Sequence, residues 1–142
     1  MKYLSISSSD TNEIGKKLAG EFVSGRTMFL LNGPMGAGKT TLIRSMVKKI
    51  NGFSVTSSSY SIVNHYPGSP NILHADFYRT GWSEELFETE IAPIFLNKTV
   101  LFLEWVKPRN IYMECPTYCI DITVTEDLQR IIKVKPATWK LD

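Results

Sequence analysis

The chain is poor in the residues that staple, anchor or charge a small protein. Of its 142 residues only two are cysteine and two are histidine. Cys115 and Cys119, four residues apart, are too few for a disulfide scaffold or a four-ligand zinc site, so both are expected to be reduced and structural. No run of about 18 apolar residues occurs, which argues against a membrane-spanning helix. The opening Met1-Lys2-Tyr3-Leu4-Ser5 lacks the apolar segment of a secretory signal. A cytoplasmic protein is the expectation. With 16 basic against 14 acidic residues the net charge is +2, too weak a field to capture a membrane, DNA or RNA unaided. Any RNA contact is expected to be shared with a partner. Repeats, low-complexity tracts and linkers are also missing, and 43% apolar residues suit one domain over 1–142.

What is present alternates in type, as in an α/β domain. Asp10 with Glu13 reads as a helix start, followed by Ile14, Leu18 and Phe22 at helical spacing and a stop near Ser24-Gly25. The apolar run 28–31 suits a buried strand, and Leu42, Ile43, Met46, Val47 and Ile50 share a helical face that ends at Asn51-Gly52. Strands are expected at 61–66 and 72–76, and the five residues Pro67-Gly68-Ser69-Pro70-Asn71 between them favour a hairpin. A helix over 83–90 then provides a crossover that makes the strand 99–104 parallel to 72–76. Strict alternation of Tyr118, Ile120, Ile122 and Val124, with 130–135 after Glu126-Asp127, predicts a closing antiparallel pair. The sheet is thus mixed, mostly parallel and flanked by helices, with antiparallel strands toward the C-terminus.

Between the first buried strand and the amphipathic helix lies Gly33-Pro34-Met35-Gly36-Ala37-Gly38-Lys39-Thr40, the G-x-x-x-x-G-K-S/T pattern of a P-loop. Its glycines let successive backbone N–H groups turn toward phosphate oxygens at a helix N-terminus. Lys39 suits the β- and γ-phosphates and Thr40 a magnesium ion that bridges them. Magnesium and an attacking water also call for carboxylates. Two strands end in acid: Val100-Leu101-Phe102-Leu103-Glu104, in the manner of a Walker B strand, and Ile72-Leu73-His74-Ala75-Asp76. Glu104 is assigned to the magnesium shell or its waters. Asp76 either orients water or caps the turn that follows it. The hydroxyl-rich Ser57-Ser58-Ser59-Tyr60 is either a switch-like loop offering another magnesium ligand or a plain polar loop.

Four segments, GPMGAGKTTL at 33–42, VTSSSYSIVNHY at 55–66, LHADFYR at 73–79 and LFLEW at 101–105, together resemble the bacterial TsaE proteins, the ATPases of threonylcarbamoyladenosine biosynthesis on tRNA. The resemblance covers roughly residues 5 to 110. It implies a P-loop NTPase fold, ATP and magnesium as cofactors, ATP hydrolysis, and TsaB and TsaD as partners that carry the transfer chemistry. Gly33, Met35, Gly36, Ala37, Gly38, Lys39, Thr40 and Thr41 fall on the nucleotide loop, and Thr11 and Trp105 complete the expected nucleotide set. Catalysis falls to Glu104, Asp76 and Lys39. Thr40, Glu104 and Ser59 are the expected metal positions, Ser59 standing where the family usually has threonine. Other departures are Ser58 for a common proline, Pro34-Met35 for an acidic-leucine pair, and His65 for glutamate.

Other classes of function are weaker. A small-molecule kinase would need an arginine-bearing lid, whereas the chain after Glu104 holds only Arg109 and Arg130 and reads as strands. A non-hydrolysing ATP-sensing module would share Lys39, Thr40 and the magnesium shell. Asn97-Lys98-Thr99-Val100 has valine where a guanine-reading motif needs aspartate. Arg79 suits either phosphate or an ordinary ion pair. His65 and His74 are read as structural, and Lys48, Lys49, Arg130, Lys133 and Lys135 as solvated faces sooner than as a surface for tRNA.

Overall fold

Two helix starts and one glycine stop define the first half of the chain. In the computed structural model, which describes residues 1–56 and 61–137, helix α1 runs Ser8–Phe22. Its N-cap is Ser7, whose Oγ accepts from the Asp10 N–H at 3.0 Å. Asp10 is therefore the third helical residue and not the start: its carboxylate turns back to accept from the Ile6 N–H at 3.1 Å. Helix α2, Lys39–Asn51, ends where Gly52 adopts a left-handed φ of 81° and returns its N–H to the Lys48 carbonyl.

The strands are β1 Lys2–Ser5, β2 Thr27–Asn32, β3 Val63–Tyr66, β4 Asn71–Asp76, β5 Thr99–Glu104, β6 Thr117–Val124 and β7 Arg130–Pro136. They form one sheet in the order β1-β7-β6-β2-β5-β4-β3. The neighbours β6, β2, β5 and β4 pair in parallel, while β7, β1 and β3 pair antiparallel at the two sides. The hairpin, the parallel crossover and the C-terminal pair all form as the turn residues predict, with β3 starting at Val63. The edge strand β1 had no signal in the sequence: it is four residues long and its partners, such as Lys133 for Lys2, lie at the far end of the chain. The expected helix over 83–90 is irregular. Ser83 caps a single turn, α3 Glu84–Leu86, which widens into a π turn over Phe87–Ile91 and tightens into a 3-10 turn over Ala92–Ile94, where Pro93 precludes a regular helix.

Strand parity divides the core. Phe29, Leu31, Val100, Phe102, Ile120, Ile132 and Val134 face α1 and α2, meeting Leu18, Leu42, Ile43 and Met46. Met28, Leu30, Leu73, Leu101 and Leu103 face the other way, onto Phe87, Ile91 and Phe95. Both faces of β2 and β5 are covered, which is why these strands read as unbroken apolar runs. Because β6, β2, β5 and β4 point the same way, their C-terminal ends share one edge of the sheet. The antiparallel β7 begins at that edge, with Arg130 opposite Val124 of β6 and Ser5 of β1.

Candidate functional site

The loop after β2 owes its shape to glycine at three positions, Gly36 among them at a φ of 77°. A Cβ on Gly33 would lie 2.8 Å from the Ile122 carbonyl oxygen of β6, so only glycine lets the loop leave the sheet this closely. Gly38 caps α2 at a φ of 100°, a left-handed conformation, and offers no side-chain cap to the start of the helix. The loop brings Lys39 back over itself: its Nζ donates to the Gly33 carbonyl at 2.7 Å.

Lys39 and Glu104 are each about 5% exposed (6% and 5%), and their charged groups lie 4.0 Å apart. Desolvation depresses the Lys39 ammonium below its ordinary range, opposed by the charges of Glu104 and then Asp76. On a third side, the Lys39 Nζ sits 3.9 Å from the centroid of the Trp105 ring. Trp105 reaches this position through a left-handed backbone, φ 63°, an unusual geometry for a bulky residue that turns the chain sharply after β5.

Glu104 has a second partner that the sequence reading put aside as structural. The His74 Nε2 lies 2.6 Å from Glu104 Oε2, and the His74 Nδ1 lies 3.1 Å from the Tyr66 hydroxyl. A carboxylate only accepts, so Nε2 carries the donated proton, and a neutral ring leaves Nδ1 to accept from Tyr66. Burial, followed by the Glu104 charge, pushes the Tyr66 hydroxyl up, which keeps it a donor. Asp76 stands beside Glu104 in register and is exposed to the same cleft. It also accepts from the Tyr78 N–H at 2.9 Å, so it caps the turn as well as facing the site.

These groups line one cleft of about 740 Å³, the size of a small-molecule site. Met35, Gly36, Gly38, Lys39, Thr40 and Thr41 border it from the loop and α2, and Asp76, Glu104 and Trp105 from the strand ends. Thr11 enters from α1, buried and joined to Ser5 by a 2.7 Å hydroxyl–hydroxyl hydrogen bond. Ala37 is buried beneath the loop and does not border the cleft. Ser59 lies outside the described residues. Arg130, read from sequence as solvated, instead borders the cleft and donates to the carbonyls of Ala37, at 3.1 Å, and Gly36, at 3.0 Å. Period-two parity could have found both it and His74.

A family model described as threonylcarbamoyl adenosine biosynthesis protein TsaE matches residues 5–132. The chain belongs to the TsaE family. It is 37% identical over 106 residues to the tRNA threonylcarbamoyladenosine biosynthesis protein TsaE of Haemophilus influenzae, covering 73% of this chain and 67% of that one. It is 26% identical over 130 residues to the TsaE of Rickettsia typhi, covering 89% of each. The crystal structure of Bacillus subtilis YdiB superposes with a TM-score of 0.72 over 97% of this chain and 86% of that one at 21% identity, a likeness of fold. The TsaE match extends past the motif segments to β7, and so includes Arg130.

The TsaE cleft has an all-oxygen donor set suited to magnesium: the exposed Thr40 hydroxyl at the start of α2 and the carboxylates of Glu104 and Asp76. No group of three or more His, Cys, Asp or Glu side chains that could hold a metal occurs among the described residues. One or two protein ligands completed by phosphate oxygens fit this set better than a closed protein cage.

Proposed function

We propose that this single domain binds ATP with magnesium and hydrolyses it, acting with TsaB and TsaD in the formation of threonylcarbamoyladenosine on tRNA. The observation that carries the reading is the buried approach of Lys39 to Glu104 at 4.0 Å, one from the loop–helix junction and the other from the end of the adjacent parallel strand. A cation for phosphate and a carboxylate for metal or water are thereby held at one point, where a P-loop enzyme needs them.

In this reading the loop 33–41 wraps the phosphates, Thr11 and Trp105 border the nucleotide, and Lys39 neutralises phosphate charge. Thr40 and Glu104 hold the magnesium, and Ser59 is a further candidate on the family resemblance alone. Bound magnesium would draw charge from the terminal phosphate. Glu104, oriented by His74, and Asp76 place and polarise the attacking water. With a net charge of +2, the chain is assigned no direct hold on tRNA and none on DNA or a membrane. No helix among the described residues is long and apolar enough to cross a membrane, and a tRNA-modifying role fits the cytoplasm.

The test is ATP hydrolysis by the purified protein, alone and with TsaB, TsaD and tRNA. Hydrolysis stimulated by the partners is expected. ATP binding without hydrolysis in every mixture would make the protein a nucleotide-sensing module, and hydrolysis indifferent to the partners would overturn the partnership.

A further inference from the structure

The structure assigns to Arg130 the role of a brace that holds the 33–40 loop in its phosphate-receiving conformation. Arg130 opens β7, 93 residues away from Ala37 in sequence, yet its guanidinium makes three hydrogen bonds at the loop and the turn before it. Nε donates to the Ala37 carbonyl at 3.1 Å, one terminal nitrogen donates to the Gly36 carbonyl at 3.0 Å, and the other donates to the Leu128 carbonyl at 2.8 Å. The planar fork of arginine suits this arrangement; a lysine ammonium has no such fixed spread of donors.

The consequence follows from peptide geometry. In a trans peptide the C=O and N–H point in opposite directions. The Gly36–Ala37 peptide is fixed at both ends, its carbonyl on Arg130 and its N–H on the Pro34 carbonyl at 3.1 Å. Holding the Ala37 carbonyl on Arg130 turns the Gly38 N–H away from the guanidinium, as a loop that presents N–H groups to an anion requires. Glycine is necessary at 36 and 38, where φ is 77° and 100°, yet glycine leaves the loop free to take other conformations. Arg130 removes that freedom before any ligand arrives, and adds a positive charge at the rim of the cleft.

Arg130 is thus a positioning residue that acts through the loop backbone. Its placement depends on β6 and β7, since Arg130 pairs with Val124 and Ser5, and on Leu128, whose left-handed φ of 60° forms the connecting turn. The C-terminal hairpin, which holds no other residue assigned to the site, therefore sets the readiness of the loop.

The experiment compares Arg130→Gln and Arg130→Lys with the parent protein by backbone amide exchange without nucleotide, and by titration with ATP and with ADP. The exchange arm does not depend on what the loop binds; the titration arm rests on the ATP reading proposed above. Arg130→Gln should speed exchange of the Ala37 amide, which is bonded to the Pro34 carbonyl, by about tenfold while β2 and the second half of α2 exchange as before. It should weaken ATP and ADP by the same factor, on the order of tenfold, with Arg130→Lys intermediate in both. Unchanged exchange in the loop, or an equal rise throughout the chain, would overturn the brace. Weakened ATP with unchanged ADP would overturn it too, making Arg130 a direct partner of the terminal phosphate. If the parent protein binds neither nucleotide the ATP reading fails, and the exchange arm still decides the brace.

Discussion

Replacing Glu104 with glutamine should separate the fold from the chemistry. The carboxylate is buried, with Oε1 4.0 Å from the Lys39 ammonium and Oε2 2.6 Å from His74. At 4.0 Å and an effective dielectric of about 20, the attraction to Lys39 is roughly 4 kcal/mol. Taking the carboxylate out of water costs several kcal/mol, so removing its charge returns much of what is lost. The amide oxygen still accepts from His74, losing about 1 kcal/mol of charge assistance. Lys39 keeps its bonds to the Gly33 carbonyl and the Trp105 ring. The net loss is about 1–2 kcal/mol, a fall in Tm of about 3–8 °C for a chain of this length. Turnover should fall much further, by on the order of 10²–10³, because the lost charge acts on the reacting centre. Steady-state ATP hydrolysis with TsaB and TsaD, thermal unfolding and ADP titration measure the three quantities. Glu104→Gln turning over within about threefold of the parent would refute the assignment, as would ADP binding lost in a variant that stays folded.

Lys39→Ala should act on binding instead, weakening ATP by roughly 10- to 100-fold, the worth of a charge-assisted contact, in the same titration. Gly15→Ala should destabilise by about 1–3 kcal/mol in urea unfolding, since the new Cβ would fall 1.7 Å from Ser45 Oγ where α1 crosses α2. Ser45→Ala added to it should recover part of that loss, and failure to do so would show that the helices are not this close. Burial pushes both thiols up, Cys115 and Cys119 alike, so at about pH 8 each should carry less thiolate than free cysteine and react more slowly with a thiol-specific reagent in the folded protein. Unfolding should bring both to the free rate.

Much of the fold was legible because its central strands are covered on both sides. β2 and β5 read as apolar runs, the Asn51-Gly52 stop ended α2, and the acids closing β4 and β5 came out side by side, with Asp76 opposite Glu104. Local patterns misled where two of them competed: Ser7 with Asp10 outbid Asp10 with Glu13 for the start of α1 because Ser7 can accept from the Asp10 N–H. β1 was invisible since a short edge strand has no covered face to pattern it and its partners lie more than a hundred residues away. The tight α1–α2 crossing at Gly15 likewise depends on a partner helix that no local spacing reveals.

The site residues that were set aside, His74 and Arg130, follow from two facts already available in the sequence, strand direction and strand parity. Ile72, His74 and Asp76 alternate with Leu73 and Ala75, and Ile72 faces α1 and α2. Val100 and Phe102 face the same helices, so Glu104 at the next even position does too. With β4 and β5 parallel and Asp76 opposite Glu104, His74 lies one step back on the same face, within reach of the Glu104 carboxylate. Ile132 and Val134 also face α1 and α2, which puts Arg130 on that face, and an antiparallel β7 must begin at the edge where β6 ends. That edge is where β2 releases its loop. An arginine there, on the helix-facing side, meets loop carbonyls and not solvent. The two side chains looked ordinary because each was weighed by its sequence neighbours, whereas in a sheet the relevant neighbours are set by direction and parity.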